Sequence, residues 1–138
     1  MKKVFLDTNV MIDIIGRREK FCTPSLKIMS LADRKILSVY VSAMSYATAG
    51  FILGKENKSM DIFAEFLKFS QITYAAPVDS QTISDSLKSE FKDFEDAMQY
   101  YSALSVGADY IITRNKKDFT AAQIPVFEPQ EFIDYLLD

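Results

Sequence analysis

Asp7 closes a short apolar run, Val4-Phe5-Leu6, and is followed by Thr8-Asn9 and a second apolar stretch from Val10 to Ile15. That is the pattern of a buried strand running into a helix. In an open α/β sheet, an acid at the carboxyl end of a strand faces the crevice where such folds bind ligands. Two later segments carry further candidates, Asp93-Phe94-Glu95-Asp96 and Thr113-Arg114-Asn115-Lys116-Lys117-Asp118. A carboxylate beside a buried strand is costly unless something pairs with it. Carboxylates from remote segments that share one site raise each other's pKa unless a cation neutralises them. A divalent ion does this, and it also activates water and stabilises charge on a phosphate. The chain has no histidine, which excludes His-based triads and most zinc sites. Only oxygen ligands remain, and these suit Mg2+ or Mn2+.

Each of these residues also has a purely structural use. Asp93 can cap a helix, with Asp96 three residues on completing a box-like pattern. Glu95 and Asp96 suit the positive end of that helix. Asp118 can be a loop acid beside Lys116 and Lys117. The basic residues Arg114, Lys116 and Lys117, and the group Arg17, Arg18 and Lys20, read either as solvated loops or as rims that bind phosphate.

The elements that must position these groups follow from periodicity and punctuation. With 138 residues, 49% of them hydrophobic, residues 1–138 read as one domain with a single sizeable core. The scarcity of turn formers, 4 Gly and 4 Pro, favours long helices. A net charge of −3 gives no bulk attraction to nucleic acid, although a local basic rim remains possible. The single cysteine, Cys22, forms no internal disulfide and fits a reducing cytoplasm. Met1-Lys2-Lys3 leads straight into the first strand, and the apolar run behind it carries Asp7, Asn9 and Asp13. Neither a signal peptide nor a membrane span is expected.

Strands are predicted at Lys3–Leu6, Leu37–Val41, Ile72–Ala75 and Asp109–Ile112, with Val126–Phe127 as a short edge. Helices are predicted over Asn9–Ile15, capped by Asn9 and ended by Gly16, and from Thr23-Pro24 to Asp33. Others span Ser42–Leu53 with Gly54 at the end, Ser59–Phe69, a stretch from Asp79, a stretch that starts after Asp93 and reaches Val106, and Gln130–Leu137. Ile62, Phe63, Phe66 and Leu67 share one face of the fourth helix. Strands alternating with helices predict a three-layer α/β sandwich around a parallel sheet of four to five strands. Met44, Tyr46, Phe51, Met60 and Phe69 serve either as core or as a contact surface.

Three blocks, Phe5-Leu6-Asp7-Thr8-Asn9-Val10, Asp93-Phe94-Glu95-Asp96-Ala97 and Ile112-Thr113-Arg114-Asn115-Lys116-Lys117-Asp118-Phe119, together resemble the motifs of PIN domains. The resemblance covers nearly the whole chain. It implies a PIN-like sandwich and, by similarity to VapC-type toxins of toxin–antitoxin pairs, an endoribonuclease using Mg2+ or Mn2+. By that likeness Asp7, Asp96 and Asp118 would hold metal and Asn115 would replace a further family acid. Thr8, Asn9, Thr113, Asp93 and Glu95 would stand behind the ligands. Arg114, Lys116, Lys117, Arg17 and Arg18 would meet RNA. The family's second acid falls on Thr48, and Ser42–Leu53 contains no acid. The alternative is therefore a catalytically impaired PIN fold that binds RNA or protein. An antitoxin partner, a homodimer and a cytoplasmic location complete what the likeness implies. A haloacid dehalogenase-type phosphatase is disfavoured, since Asp7-Thr8-Asn9 lacks the second acid of its Asp-x-Asp pair. Receiver domains are disfavoured too, for want of paired acids near the first strand.

Overall fold

Alternation along β1 (Lys2–Leu6) sets the architecture. Val4 and Leu6 point into one hydrophobic cluster and Phe5 into another, and all three are fully buried. A strand buried on both faces belongs in the middle of a sheet covered by helices on both sides. The computed structural model describes residues 1–138 and shows that arrangement. β2 (Leu37–Ser42), β3 (Tyr74–Ala76), β4 (Tyr110–Ile112) and β5 (Val126–Phe127) complete a five-stranded sheet in the order β3-β2-β1-β4-β5. Every pairing is parallel.

The helices are α1 (Thr8–Ile15), α2 (Cys22–Asp33), α3 (Ala43–Glu56), α4 (Ile62–Gln71), α5 (Ser80–Leu87), α6 (Phe94–Ser105) and α7 (Pro129–Leu137). A single 3-10 turn spans Lys116–Phe119. One face of the sheet carries the larger core, in which Val10, Met11, Ile28, Leu53 and Phe132 meet Val4, Val39 and Ile112. The other face is thinner, with Phe5 and Ile111 packed against Tyr100, Ala103 and Phe119. The α/β sandwich and the parallel sheet agree with expectation, and the edge strand makes five. No helix is long and apolar enough to cross a membrane.

The chain runs outward from β1 through β2 to β3, then returns to lay β4 on the other side of β1. The strand order therefore reverses between β1 and β4, which is where such sheets open a crevice at their carboxyl ends. Asp7 and Thr113 stand immediately beyond those two ends.

Several local expectations are corrected. Asp7, not Asn9, is the N-cap of α1, and its carboxylate accepts from Thr8 N at 2.9 Å. Gly54 does not end α3, which continues to Glu56. Its backbone is ordinary helix, and the flanking Leu53 is buried in the core, so packing outweighs the modest helix penalty of glycine. Gly107, with φ +71, is the glycine that does turn the chain in the left-handed region, just past α6. α4 begins at Ile62, because Asp61 caps it by accepting from Ala64 N at 3.1 Å. The expected apolar face of α4 is split: Ile62 and Phe66 pack on the core, whereas Phe63 and Leu67 are exposed. Tyr46 and Phe69 are core residues stacked edge-on, while Phe51 stays in solvent beneath Lys55.

Candidate active site

Asp7 is fixed from both sides. Its N–H donates to Ile112 O at 2.9 Å, which ties the end of β1 to β4. Its carboxylate accepts from Thr113 Oγ1 at 2.7 Å and from Asn9 Nδ2 at 3.2 Å, besides the cap bond from Thr8. These donors favour the ionised form, but burial outweighs them and pushes the carboxyl above the ordinary aspartate range. Asp118 and Glu95 add repulsion in the same direction.

Asp96 lies in the first turn of α6, where Asp93 caps the helix by accepting its N–H at 3.0 Å. The Asp96 side chain returns no bond to the cap, so only half of the box-like pattern forms. Burial first, and then Asp93, Asp7, Asp118 and Glu95, raise Asp96 to about 7. Such mutual repulsion requires the acids to be neighbours, and they are. Asp7, Glu95, Asp96 and Asp118 face one open cavity of about 290 Å³, together with Thr8, Asn9, Thr48 and Asn115. Asp93 lines a second, smaller cavity with Asp96, Lys117 and Asp118. As the side chains lie, no three acids close around one point as a finished ion cage. The donors are nevertheless of the kind a hard cation takes: all are oxygen, and none of the four acids is paired with a basic side chain. Asp118 is exposed on the 3-10 turn and Asp96 is half-buried, so both can rotate inward.

Thr48 sits on the cavity wall as a neutral residue. The acid that α3 does contain, Glu56, lies at its far end and pairs with Arg18. One group that the sequence reading overlooked completes the wall. Gln99, one turn past Asp96 on α6, donates to the hydroxyls of Thr8 and Ser45, which also bond each other at 2.7 Å. Its Oε1 is buried without a partner. Helical spacing of three residues from Asp96 was the available signal.

The other overlooked residue is Asp13, an acid on an otherwise apolar helix and fully buried. It accepts from Arg114 Nε at 2.6 Å and from Arg18 Nη1 at 3.4 Å. Arg114 also lies 4.0 Å over the ring of Phe21, so its guanidinium is committed within the fold. Arg18 lines the acidic cavity, but Arg17 has φ 50 and lines a separate apolar cavity between α2 and α4. Lys116 pairs with Glu131 at 3.1 Å, and Lys117 makes no ion pair. The five basic residues thus do not form one surface.

The model of the PIN domain family matches residues 3–117. The chain belongs to the PIN domain family. Ribonuclease VapC1 of Aquifex aeolicus is 26% identical over 140 residues, covering 96% of this chain and 94% of that one. The VapBC2 structure from Rickettsia felis, bound to a DNA fragment from their promoter, superposes with a TM-score of 0.70 at 14% identity. The match covers 90% of this PIN domain and 96% of that chain. FitAcB from Neisseria gonorrhoeae superposes with a TM-score of 0.58 at 18% identity, over 92% and 98% of the two chains. At such identities the superpositions speak for the fold, and the VapC-like type of this PIN domain rests on the family match and the likeness to VapC1.

Proposed function

We propose that this PIN domain is an endoribonuclease of the VapC type that hydrolyses RNA phosphodiesters with Mg2+ or Mn2+. One observation carries the reading: the carboxylates of Asp7, Asp96 and Asp118, from three remote segments, face a single cavity at the sheet's switch point. The likeness to Ribonuclease VapC1 supports it. A bound divalent ion would supply a nucleophilic water at neutral pH and Lewis-acid stabilisation of phosphate charge. Asp7, Asp96 and Asp118 would hold it, with the Asn115 amide as a neutral oxygen. Thr113, Asn9 and the Thr8 N–H fix the Asp7 carboxylate in one orientation, as outer-shell donors do for metal ligands. Glu95 adds negative charge to the rim, and Lys117 supplies an unpaired cation beside Asp118 for a flanking phosphate.

An antitoxin protein is the proposed partner, in line with the likeness to the chains of VapBC2 and FitAcB. Phe51, Phe63 and Leu67, exposed on α3 and α4, offer apolar surface for such a contact or for a homodimer. A cytoplasmic site of action fits RNA as substrate.

A second reading has its own observation. Thr48 leaves the cavity one charge short and no three of its acids close around one point, which favours a PIN fold that binds RNA without cutting it. The deciding experiment incubates purified protein with a structured RNA and manganese, with and without chelator. Chelator-sensitive cleavage by the parent and none by Asp7→Asn is expected. Binding without cleavage by both proteins would transfer the conclusion to the second reading.

A further inference from the structure

The acidic cavity has one basic residue on its wall, Arg18. Its guanidinium is held by two acids outside the cavity: the buried Asp13, whose side chain is 1% exposed, and Glu56 at the end of α3. Arg18 makes no ion pair with Asp7, Glu95, Asp96 or Asp118, although all of them face the same space. Its Nε–H donates to no group in the protein, and Nη1 bonds only Asp13. The cavity wall therefore carries four carboxylates and one braced, incompletely bonded guanidinium.

We propose that Arg18 is a binding residue for a backbone phosphate of RNA, held in place by Asp13 and Glu56. The proposal rests on the ribonuclease reading above and assigns the substrate's anion a partner that the metal ligands cannot provide. A phosphodiester entering a pocket of four carboxylates meets repulsion everywhere except at a cation. The Nε–H of Arg18 is left free to donate to one phosphate oxygen, and a rigidly held guanidinium loses little entropy on binding. Asp13 makes it rigid: its second oxygen takes Arg114 Nε at 2.6 Å, and Arg114 is in turn stacked on Phe21. Asp13 and Arg114 are positioning residues in this account. Arg17 is the built-in control. It is the adjacent residue with the same charge, but its left-handed backbone directs it to the apolar cavity near Ile15 and Met29.

The test measures binding of a fluorescein-labelled single-stranded RNA by anisotropy across a salt series, in chelator and in manganese. The parent, Arg18→Gln and Arg17→Gln are compared, each checked for folding by thermal unfolding. Arg18→Gln should weaken binding by about tenfold and lower the slope of log K against log salt by roughly 0.7, one single-strand phosphate contact. Arg17→Gln should change affinity less than about twofold. A merely structural Arg18 would lower the melting temperature and leave the salt slope alone. Equal behaviour of the two variants, or no RNA binding by the parent, overturns the proposal. An Arg18 effect on binding without manganese-dependent cleavage keeps the phosphate contact and removes the nuclease. Cleavage that Arg18→Gln leaves intact, with parental RNA affinity, removes the phosphate contact alone.

Discussion

The hydroxyl of Thr113 donates to Asp7 Oδ2 at 2.7 Å across 106 positions of sequence. Thr113 is fully buried, and its own Oγ1 accepts from Asn115 N at 3.0 Å. One hydroxyl thus joins the end of β1 to the end of β4 and starts the turn that carries Asn115 and Asp118. Thr113→Val keeps the shape and removes the donor. It should cost about 1–3 kcal/mol in urea unfolding, the penalty of an unsatisfied buried acceptor. Manganese-dependent RNA cleavage should fall with it, and parental cleavage in a folded Thr113→Val protein would contradict the proposed role of Asp7.

Asp13 should matter more to stability than any surface ion pair. Asp13→Ala leaves Arg114 without its partner in a largely enclosed site and should destabilise by about 3–5 kcal/mol. Glu131→Gln, which removes the exposed partner of Lys116, should cost no more than about 1 kcal/mol. Denaturant midpoints of the two variants, compared directly, check the ordering.

Stability of the metal-free protein should decline as pH rises through the acidic-to-neutral range. Folded Asp96 keeps its proton up to about 7, whereas the unfolded chain ionises it near the ordinary value of 3.8. Between those values the folded state binds more protons, so raising pH favours unfolding. Burial raises Asp7 in the same direction. Asp96→Asn should therefore melt higher than the parent at about pH 8 and near it at about pH 4, in chelator. A metal-free parent that grows more stable from weak acid to neutrality would refute this.

Divalent ions should act through the same groups. Manganese should raise the melting temperature of the parent at neutral pH more than that of Asp7→Asn. Thr48→Asp places a carboxylate on the cavity wall and should tighten manganese binding by about tenfold, since ligand charge tunes affinity. Without metal, the same variant should be less stable than the parent, because it adds a fifth acid to an already repulsive pocket. Calorimetric titration reads the affinity and thermal unfolding reads the cost.

The sequence itself determined the layers and the register of the chemistry. Val4-Phe5-Leu6 before Asp7, and Tyr110-Ile111-Ile112 before Thr113, are strands because their apolar residues fill both faces of a sheet. The acids then fall at strand ends by counting alone, and histidine-free composition limits the ligands to oxygen. Boundaries were less legible. Gly54 reads as a stop, yet Leu53 packs in the core and the helix runs on. Phe63 and Leu67 read as one apolar face with Ile62 and Phe66, yet α4 turns them to solvent while the other two pack on the core. Only the tertiary structure decided which charges are free and which are committed. Arg17 and Arg18 are alike as letters, but one backbone angle sends them to different cavities, and Arg18 and Arg114 converge on a buried Asp13 from opposite ends of the chain. Local sequence fixes periodicity because that depends on neighbouring residues, whereas the pairing of charges depends on distances that exist only after the strands have been ordered.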